Sequence, residues 1–312
     1  GSEMCIRDSA TPEGLRNQGW KDAADSIPSA DGSLPETPIA LAEVQAYVYG
    51  AYVARAHLAR EAEDIATQHR YAAKASALRA AFEEAFWLPD RGYYAIGLDA
   101  EKRPIDALAS NMGHCLWAGI VSPERAPEAV RHLLSDELFS GWGVRTLATS
   151  MASYNPVSYH CGSVWPHDNA LIASGLMRYG FVDEAHRIIG AMLDAAAVAG
   201  GRLPELFSGV AREDVGVPVS YPTSCSPQAW AAASPLLFLR LLLRFDPQVR
   251  RGRLWCSPKL PEGIERLEVD GIPLAGRRVS VHVDGYGWRI DGLDGALEVI
   301  DRPRAPLTAE AP

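Results

Sequence analysis

Apolar side chains recur at helical spacing along most of the chain. After Thr37-Pro38 they cover a face, up to about residue 54, that is wider than a surface helix needs. A threonine followed by proline is typical of a helix N-terminus, so we predict that this helix has its N-cap at Thr37. The same spacing predicts further helices at about 61–87, 105–118, 123–134, 168–179, 182–198 and 227–243.

An alternation of apolar and polar residues replaces the helical spacing towards the C-terminus. Over residues 264–283 it predicts short antiparallel strands. Nearer the N-terminus, residues 88–98 predict a turn and a short hairpin. The turn signals are Asp270-Gly271 and Asp284-Gly285 for the strands, and Pro89-Asp90 with Arg91-Gly92 for the hairpin.

Residues 141–170, which we call the central segment, follow neither spacing. Glycine and proline interrupt any regular element, while aromatic, histidine and other hydrogen-bonding side chains are unusually frequent. A long loop of this composition between helices is more often functional than a plain connector. The alternative is a well-packed structural loop.

Seven helices, mostly in pairs with polar loops on one side of each pair, are typical of stacked helical hairpins. Helices that are apolar on more than one face fit the inner ring of a double-layered barrel, whose six hairpins need twelve helices. We therefore predict an all-α fold, an N-terminally incomplete (α/α)6 toroid, with a small C-terminal antiparallel β appendage. The predicted regions are a non-native scar at 1–9, the helical domain at 10–250, a β-rich region at 251–300 and a disordered tail at 301–312.

Composition and charge exclude several kinds of partner. The formal net charge of −9 provides no basic field that would attract nucleic acid or an anionic membrane. No apolar run approaches the ~18 residues that span a bilayer. Five scattered cysteines without a Cys-x-x-Cys pair are typical of reduced thiols, which predicts a cytoplasmic protein. The oligomeric state stays open.

Two acidic residues flank the central segment. Asp22 follows Trp20, and a carboxyl beside an apolar ring has a raised pKa, as a general acid requires. The alternatives are a turn or N-cap role for Asp22, or Asp25 as the acid. Glu205 lies in an apolar, glycine-flanked loop, where an isolated carboxylate is costly without a partner or a task. Its alternative is an ion pair with Arg202 or Arg212.

Two carboxylates across an aromatic, hydroxyl-binding pocket are the outline of a sugar-cleaving site. Aromatic rings there stack on pyranose rings and polar groups bind hydroxyls, although each aromatic residue alone is more often part of a core. Glu43 has an alternative role as a partner of Arg16. The substrate-binding candidates are Gln18, Trp20, Glu43, Gln45, Trp142, Arg145, Tyr159, His160, Trp165, His167, Asp168 and Tyr221.

Cofactors are not indicated by any motif. His160, His167 and Asp168 lack the spacing of a helical zinc motif or a calcium loop, so a metal is not favoured. Nucleotide-binding glycine motifs and the Gly-x-Ser-x-Gly elbow of serine hydrolases are absent from the sequence. The expectation is an enzyme without metal or cofactor.

Four stretches, in order, carry a family resemblance. They are QGWKDA at 18–23, PIALAEVQ at 38–45, NPVSYHCGSVWPHDNA at 155–170, and LPELFSG at 203–209 followed by CSPQAW at 225–230. Together they resemble the six-hairpin (α/α)6-barrel glycosidases. The similarity is closest to the amylo-α-1,6-glucosidase domain of glycogen-debranching enzymes and to mannosylglycerate-hydrolase-like relatives.

The resemblance implies an inverting glycoside hydrolase acting on α-glucosidic linkages of an oligosaccharide or small glycoside. It makes Asp22 the general acid and Glu205 the general base, about 6.5–9.5 Å apart, and adds Gln228 to the substrate-binding candidates. The N-terminal helices and β-sandwich usual in the family are missing from this chain. The alternatives are therefore a non-catalytic carbohydrate-binding protein or inactive fragment, and less favourably a lyase or isomerase of toroidal fold.

Overall fold

The computed structural model describes residues 16–308, so the interpretation of residues 1–9 as a scar lies outside the described residues. Seven α-helices are present in this range, which is the predicted number. They are α1 (Ala42–Glu61), α2 (Ile65–Phe86), α3 (Asn111–Ala118), α4 (Ala126–Leu133), α5 (Pro166–Arg178), α6 (Val182–Val198) and α7 (Ala229–Leu243).

Eleven short strands accompany these helices in the described range, so the all-α class is not confirmed. They form three three-stranded sheets, with orders β1-β4-β5, β10-β9-β8 and β11-β7-β6, and one two-stranded sheet, β2-β3. The strands are β1 (Ala40–Leu41), β2 (Trp87–Leu88), β3 (Tyr93–Tyr94), β4 (Gly97–Leu98), β5 (Pro104–Ile105), β6 (Asp246–Gln248), β7 (Arg253–Trp255), β8 (Leu267–Leu274), β9 (Arg277–Asp284), β10 (Gly287–Asp291) and β11 (Glu298–Ile300).

The chain divides into two compact units. The first contains the residues up to Ser234 and those from Leu307 onward, and the second spans Pro235–Pro306. The division falls within α7, at a proline that lacks the amide hydrogen needed for a helical hydrogen bond. The predicted boundary at residue 250 therefore lies inside the second unit.

The first unit is built on packed helix pairs. Helix α1 packs on α2, and α5 packs on both α6 and α3, while α3 also packs on α1. Helix α3 is buried over Asn111–Leu116, and α5 over most of its first three turns. None of the helices within residues 16–308 combines the length and apolar character required to cross a bilayer.

Two predicted helix starts are wrong for the same physical reason. Helix α1 begins at Ala42 rather than at Thr37-Pro38, because Ala40–Leu41 pairs antiparallel with Gly97–Leu98 and is therefore extended. Helix α3 begins at Asn111 rather than near residue 105, because Pro104–Ile105 pairs with the other edge of the same strand. Long-range strand pairing overrides the local preference for helix.

The second unit contains the predicted C-terminal strands. Strands β8, β9 and β10 are antiparallel, and the predicted turn at Asp284-Gly285 joins β9 to β10. The turn predicted at Asp270-Gly271 is wrong, because these residues form an irregularity inside β8 between Val269 and Ile272. The pairing of β8 with β9 resumes at Ile272 after the irregularity, so the strand does not end at Asp270-Gly271.

The tail predicted to be disordered makes specific contacts over its described part. Arg304 forms an ion pair with Asp246, and its guanidinium lies over the ring of Trp255. The Leu307 carbonyl accepts a hydrogen bond from Arg178. These contacts hold residues 304 and 307 against other parts of the chain, and the disorder of the tail stays a prediction. Residues 309–312 lie outside the described range.

The central segment has little regular structure before α5, but isolated strand-like contacts hold it in place. Arg145 pairs with Val164, and Val164 pairs in turn with Phe207. The two backbone hydrogen bonds between Val164 and Phe207 are 2.9 and 3.0 Å long. These bonds attach the loop that carries Glu205 to the central segment, and so position the candidate site.

Candidate functional site

Glu205 is buried and is held through both of its carboxyl oxygens. Its Oε1 accepts a hydrogen bond of 2.7 Å from the Tyr159 hydroxyl, and its Oε2 accepts one of 3.0 Å from the Cys225 amide. The Glu205 amide also donates to the Cys225 carbonyl. The alternative partner Arg212 instead pairs with Asp194. Glu205 is therefore oriented by neutral donors, an arrangement that suits a base.

The charge of Asp22 acts on Tyr159, the residue whose hydroxyl donates to Glu205. Burial raises the pKa of Tyr159 above its ordinary value, and the charges of Glu205 and Asp22 add to this shift. The phenol therefore lies within electrostatic reach of both carboxylates. However, the Asp22 side chain is exposed, so the expected burial of this carboxyl beside Trp20 is wrong. Lys21 occupies the interior instead. The runner-up Asp25 is also exposed.

Five rings form an aromatic cluster around Trp20. Its indole lies 4.8 Å from the ring of His167, and 5.6–5.7 Å from the other three. His160 stacks on Trp165, whose Nε1 donates to the Tyr159 carbonyl. The members of the aromatic cluster are Trp20, His114, His160, Trp165 and His167.

A chain of buried hydrogen bonds runs through His114. Its Nε2 lies 2.8 Å from Asp168 Oδ1, and its Nδ1 lies 2.5 Å from the Tyr47 hydroxyl. Burial by itself would raise the pKa of Asp168, but the hydrogen bond and charge of His114, together with the Lys21 charge, hold it below its usual value. A charged Asp168 accepts a hydrogen bond from the Nε2–H of His114.

Several polar atoms in the aromatic cluster and directly beside it have no hydrogen-bond partner within the described part of the chain. Because buried polar atoms in folded proteins are nearly always paired, these atoms indicate a place where a polar ligand or solvent contributes. The imidazoles of His160 and His167 are buried. Burial lowers the pKa of each to about 3, so both rings are neutral near pH 7. The unpartnered atoms are Trp20 Nε1, His160 Nδ1, both ring nitrogens of His167 and Asp168 Oδ2.

Glu43 is fully buried on α1, and burial raises its pKa. A Cβ on Gly19 would collide with Glu43 Oε1, so the glycine lets the two segments approach. The alternative pairing with Arg16 is not formed, since Arg16 is exposed and donates to the Pro35 carbonyl. Glu43 thus lies behind the loop that carries Trp20 and Asp22.

Other sequence candidates have different surroundings. Trp142 is buried, and Arg212 lies 4.2 Å from the centre of its ring. Arg145 is buried and donates to the carbonyls of Gly209 and Asp136, so its role in the structure is to join loops.

The three glutamine candidates also differ in their surroundings. Gln228 accepts from the Ala231 amide at the start of α7, as a capping residue does, and Gln18 is exposed. Gln45 is buried and donates to the Leu41 carbonyl.

Three contributors were missed by sequence reasoning. His114 and Asn111 lie on α3, where two polar side chains in a short, otherwise apolar helix were the available signal. Trp230, at the start of α7, stacks on His167 with ring centres 3.8 Å apart and is partly exposed. Trp230 is the last residue of the motif quoted for the family resemblance, and no periodicity marks it as a contact of His167.

A cavity of about 270 Å³ adjoins the loop of Glu205, and neither Glu205 nor Asp22 lines it. Pro204 and Leu206, on either side of Glu205, line it together with Tyr221. The Tyr221 ring is 5.7 Å from that of Tyr159. The space is lined mainly by apolar groups, so it suits a non-polar or ring-shaped part of a ligand.

Comparison with protein families supports the motif analysis. A family model described as the mannosylglycerate hydrolase MGH1-like glycoside hydrolase domain matches residues 29–208, more than half of the chain. The matched range contains the central segment and Glu205, whereas Asp22 precedes it. A comparison with curated proteins gave no match.

Solved structures with a similar fold include a sialidase, a trehalase and a mannosylglycerate hydrolase. A sialidase superposes with a TM-score of 0.73 at 15% identity over 96% of this chain and 29% of its own. Neutral trehalase Nth1 from Saccharomyces cerevisiae gives 0.53 at 17% identity, over 71% and 41%. The GH63 mannosylglycerate hydrolase from Thermus thermophilus in complex with glucose gives 0.52 at 21% identity, over 66% and 46%. This chain therefore spans less than half the length of these proteins.

Proposed function

Because this chain belongs to the mannosylglycerate hydrolase MGH1-like glycoside hydrolase family, we propose that it hydrolyses a glycosidic bond between Asp22 and Glu205. The observation that carries the proposal is the position of Tyr159. Its hydroxyl donates to Glu205 and lies within electrostatic reach of Asp22. A phenolic neighbour common to both carboxylates supports the proposal that they serve one site.

In the proposed reaction the two carboxylates have different tasks. Asp22, which is exposed, donates its proton to the departing glycosidic oxygen. Glu205, held by Tyr159 and the Cys225 amide, accepts a proton from the attacking water. Attack on the face opposite the leaving group inverts the anomeric configuration and requires the carboxyls to be about 6.5–9.5 Å apart.

The aromatic cluster is the proposed sugar-binding surface. Trp20 and Trp230 expose part of their rings, and aromatic faces stack on the C–H faces of sugars. The unpartnered nitrogen and oxygen atoms beside them provide the donors and acceptors that a hydroxyl-rich ligand matches. The neutral state of His160 and His167 suits hydrogen bonding to uncharged hydroxyls.

We propose an α-glucoside, with an α-1,6 linkage of the glycogen-branch type, as the substrate. The sequence motifs support this choice, and the similar Thermus structure is described in complex with glucose. We also propose that the helix pairs belong to an (α/α)6 toroid, as the packing of α1 on α2 and of α5 on α6 suggests.

Turnover by the full chain tests this proposal. Aryl α-glucosides, isomaltose and mannosylglycerate are supplied, and proton NMR identifies the anomer formed first. We expect the β-anomer from an α-glucoside. Asp22→Asn and Glu205→Gln should each lower kcat by at least about 100-fold, the usual contribution of a positioned acid or base.

The matched control is Asp25→Asn, which changes an exposed carboxylate of the same loop and should leave kcat unchanged. Loss of activity in this control with an active Asp22→Asn would reassign the acid to Asp25. Sugar binding without turnover of any glycoside would instead favour a non-catalytic binding protein, and retention of configuration would exclude the inverting mechanism.

A further inference from the structure

The side chain of Lys21, directly before the proposed acid, points into the protein. Lys21 is only 1% exposed, while Asp22 is exposed. The Lys21 Nζ donates to Asn111 Oδ1 at 2.6 Å and to the Thr146 carbonyl at 2.7 Å. One acceptor begins α3 and the other belongs to the central segment, so a single ammonium group joins three separate parts of the chain.

The charge of Lys21 is placed among buried acidic groups. Burial lowers the pKa of Lys21, and the charges of Asp168 and Glu43 oppose that shift. A buried ammonium group is costly unless it is paired and fully hydrogen-bonded. Well-packed apolar residues in place of a buried ion pair often give a protein that is equally or more stable. The placement therefore indicates a purpose beyond the stability of the fold.

The backbone next to Lys21 is fixed as firmly as its side chain. The Lys21 carbonyl, which belongs to the peptide leading into Asp22, accepts hydrogen bonds from Asn17 Nδ2 and from the Ser26 hydroxyl. Asn17 also accepts from the Gly19 amide at 2.9 Å. Residues 17–26, which we call the acid loop, are thus tied together at both of their ends around this one peptide.

We propose that Lys21 is a positioning residue for the general acid: its ammonium group fastens the acid loop to Asn111 and Thr146 and so fixes where the Asp22 carboxyl meets the leaving group. This inference rests on the proposed function. Lys21 itself does not touch the reacting atoms. Asp22 alone has no buried anchor, because its side chain faces outward. A small displacement of a catalytic group costs rate rather than binding.

The leaving group of the substrate separates this role from a general structural one. Fluoride departs from α-glucosyl fluoride without a proton from Asp22, whereas the glucose leaving isomaltose needs that proton. In the full chain, Lys21→Met should lower kcat for isomaltose by about 100-fold, as for a misplaced catalytic group, with KM little changed. The kcat for α-glucosyl fluoride should stay near that of the wild type, and Lys21→Arg should restore part of the loss.

The matched control is Lys74→Met, which makes the same change on α2, where the ammonium lies over the Tyr52 ring. It should leave both rates unchanged. Equal losses on both substrates in Lys21→Met, or no loss on either, would overturn the positioning role. Hydrogen exchange gives a second readout, because the amides of the acid loop should exchange faster in Lys21→Met while those of α6 do not.

The two proposals fail in different ways. If the wild type turns over neither isomaltose nor α-glucosyl fluoride nor any aryl glycoside, the proposed function fails. The exchange experiment then decides whether Lys21 anchors the acid loop, and unchanged exchange overturns that as well. If the wild type is active and Asp22→Asn is not, but Lys21→Met keeps full activity on isomaltose, only the inference about Lys21 fails.

Discussion

The buried imidazoles of His160 and His167 make the fold less stable at acidic pH. Burial lowers the pKa of both His160 and His167 to about 3, whereas histidine in an unfolded chain titrates near 6.5. As the pH falls below about 6.5, the unfolded state binds protons that the folded state does not, so the free energy of unfolding decreases until about pH 3. Each histidine contributes a loss on the order of 1.4 kcal/mol per pH unit in this window.

Urea unfolding at pH 7, 5.5 and 4 measures this effect. We expect His160→Phe, which keeps a ring next to Trp165, to show a weaker loss of stability with acid than the wild type. His69→Phe, on the exposed side of α2, should keep the wild-type pH dependence. Identical slopes for the wild type and His160→Phe would show that this imidazole is not the group that resists protonation.

Candidate residues could be selected from the sequence where the neighbouring residue types restrict the chemistry. Glu205 was selected from its motif and its apolar loop, and its catalytic role stays a prediction. Its hydrogen bond from Tyr159 followed from no sequence pattern. The exposure of Asp22 was not predictable, because no sequence pattern decides which of two adjacent side chains in an irregular loop faces inward. Lys21 takes the interior because Asn111 and Thr146, far away in sequence, offer acceptors there.

Among the elements, the loop carrying Glu205 depends on a close backbone contact. A Cβ on Gly209 would collide with the carbonyl oxygen of Gly162, a backbone atom that cannot rotate away. The Gly209 amide also donates to the Pro156 carbonyl. We expect Gly209→Ala to lower the free energy of unfolding by about 1–3 kcal/mol, as overpacking does, and to displace Glu205. Chemical denaturation and kcat for an aryl α-glucoside report the two effects.

Gly190→Ala is the control for this substitution. Gly190 lies inside α6, and a Cβ there would meet nothing within 4 Å. Alanine in a helix interior is favoured over glycine by about 0.5–1 kcal/mol, so this variant should be slightly more stable than the wild type. Equal stability of Gly209→Ala and Gly190→Ala would mean that the contact between the loop and the central segment is not tight.

Elements were predictable where local spacing alone decides them. Helix α6 has the predicted bounds, since its apolar face and the breaks at both ends lie within its own sequence. The first turns predicted for α1 and α3 instead belong to β1 and β5, which lie on the two sides of β4. The hydrogen bonds of that small sheet join residues that lie apart in the sequence, so the periodicity of either segment could not reveal them.

At the scale of the whole molecule, the sequence indicated a change of architecture towards the C-terminus. The alternation after residue 264 correctly predicted antiparallel strands in the second unit. The unit begins earlier than expected, at Pro235, because α7 reads as one continuous apolar helix in the sequence. Leu243 and Leu254 pack with the strands in one hydrophobic core. This is a tertiary contact, which a local sequence pattern cannot predict.

This second core can be tested by itself. Leu254, on β7, is fully buried against Val281 and other apolar residues of the same unit. Leu254→Ala removes three carbon atoms from a closed core and should cost about 2–5 kcal/mol of stability. Leu236→Ala, the same change at a position that is 68% exposed, should be close to neutral. Hydrogen exchange of the β9 amides should therefore accelerate in Leu254→Ala only, because the lost contacts lie beneath that strand. Equal exchange in both variants would mean that Leu254 does not organise the core of this unit.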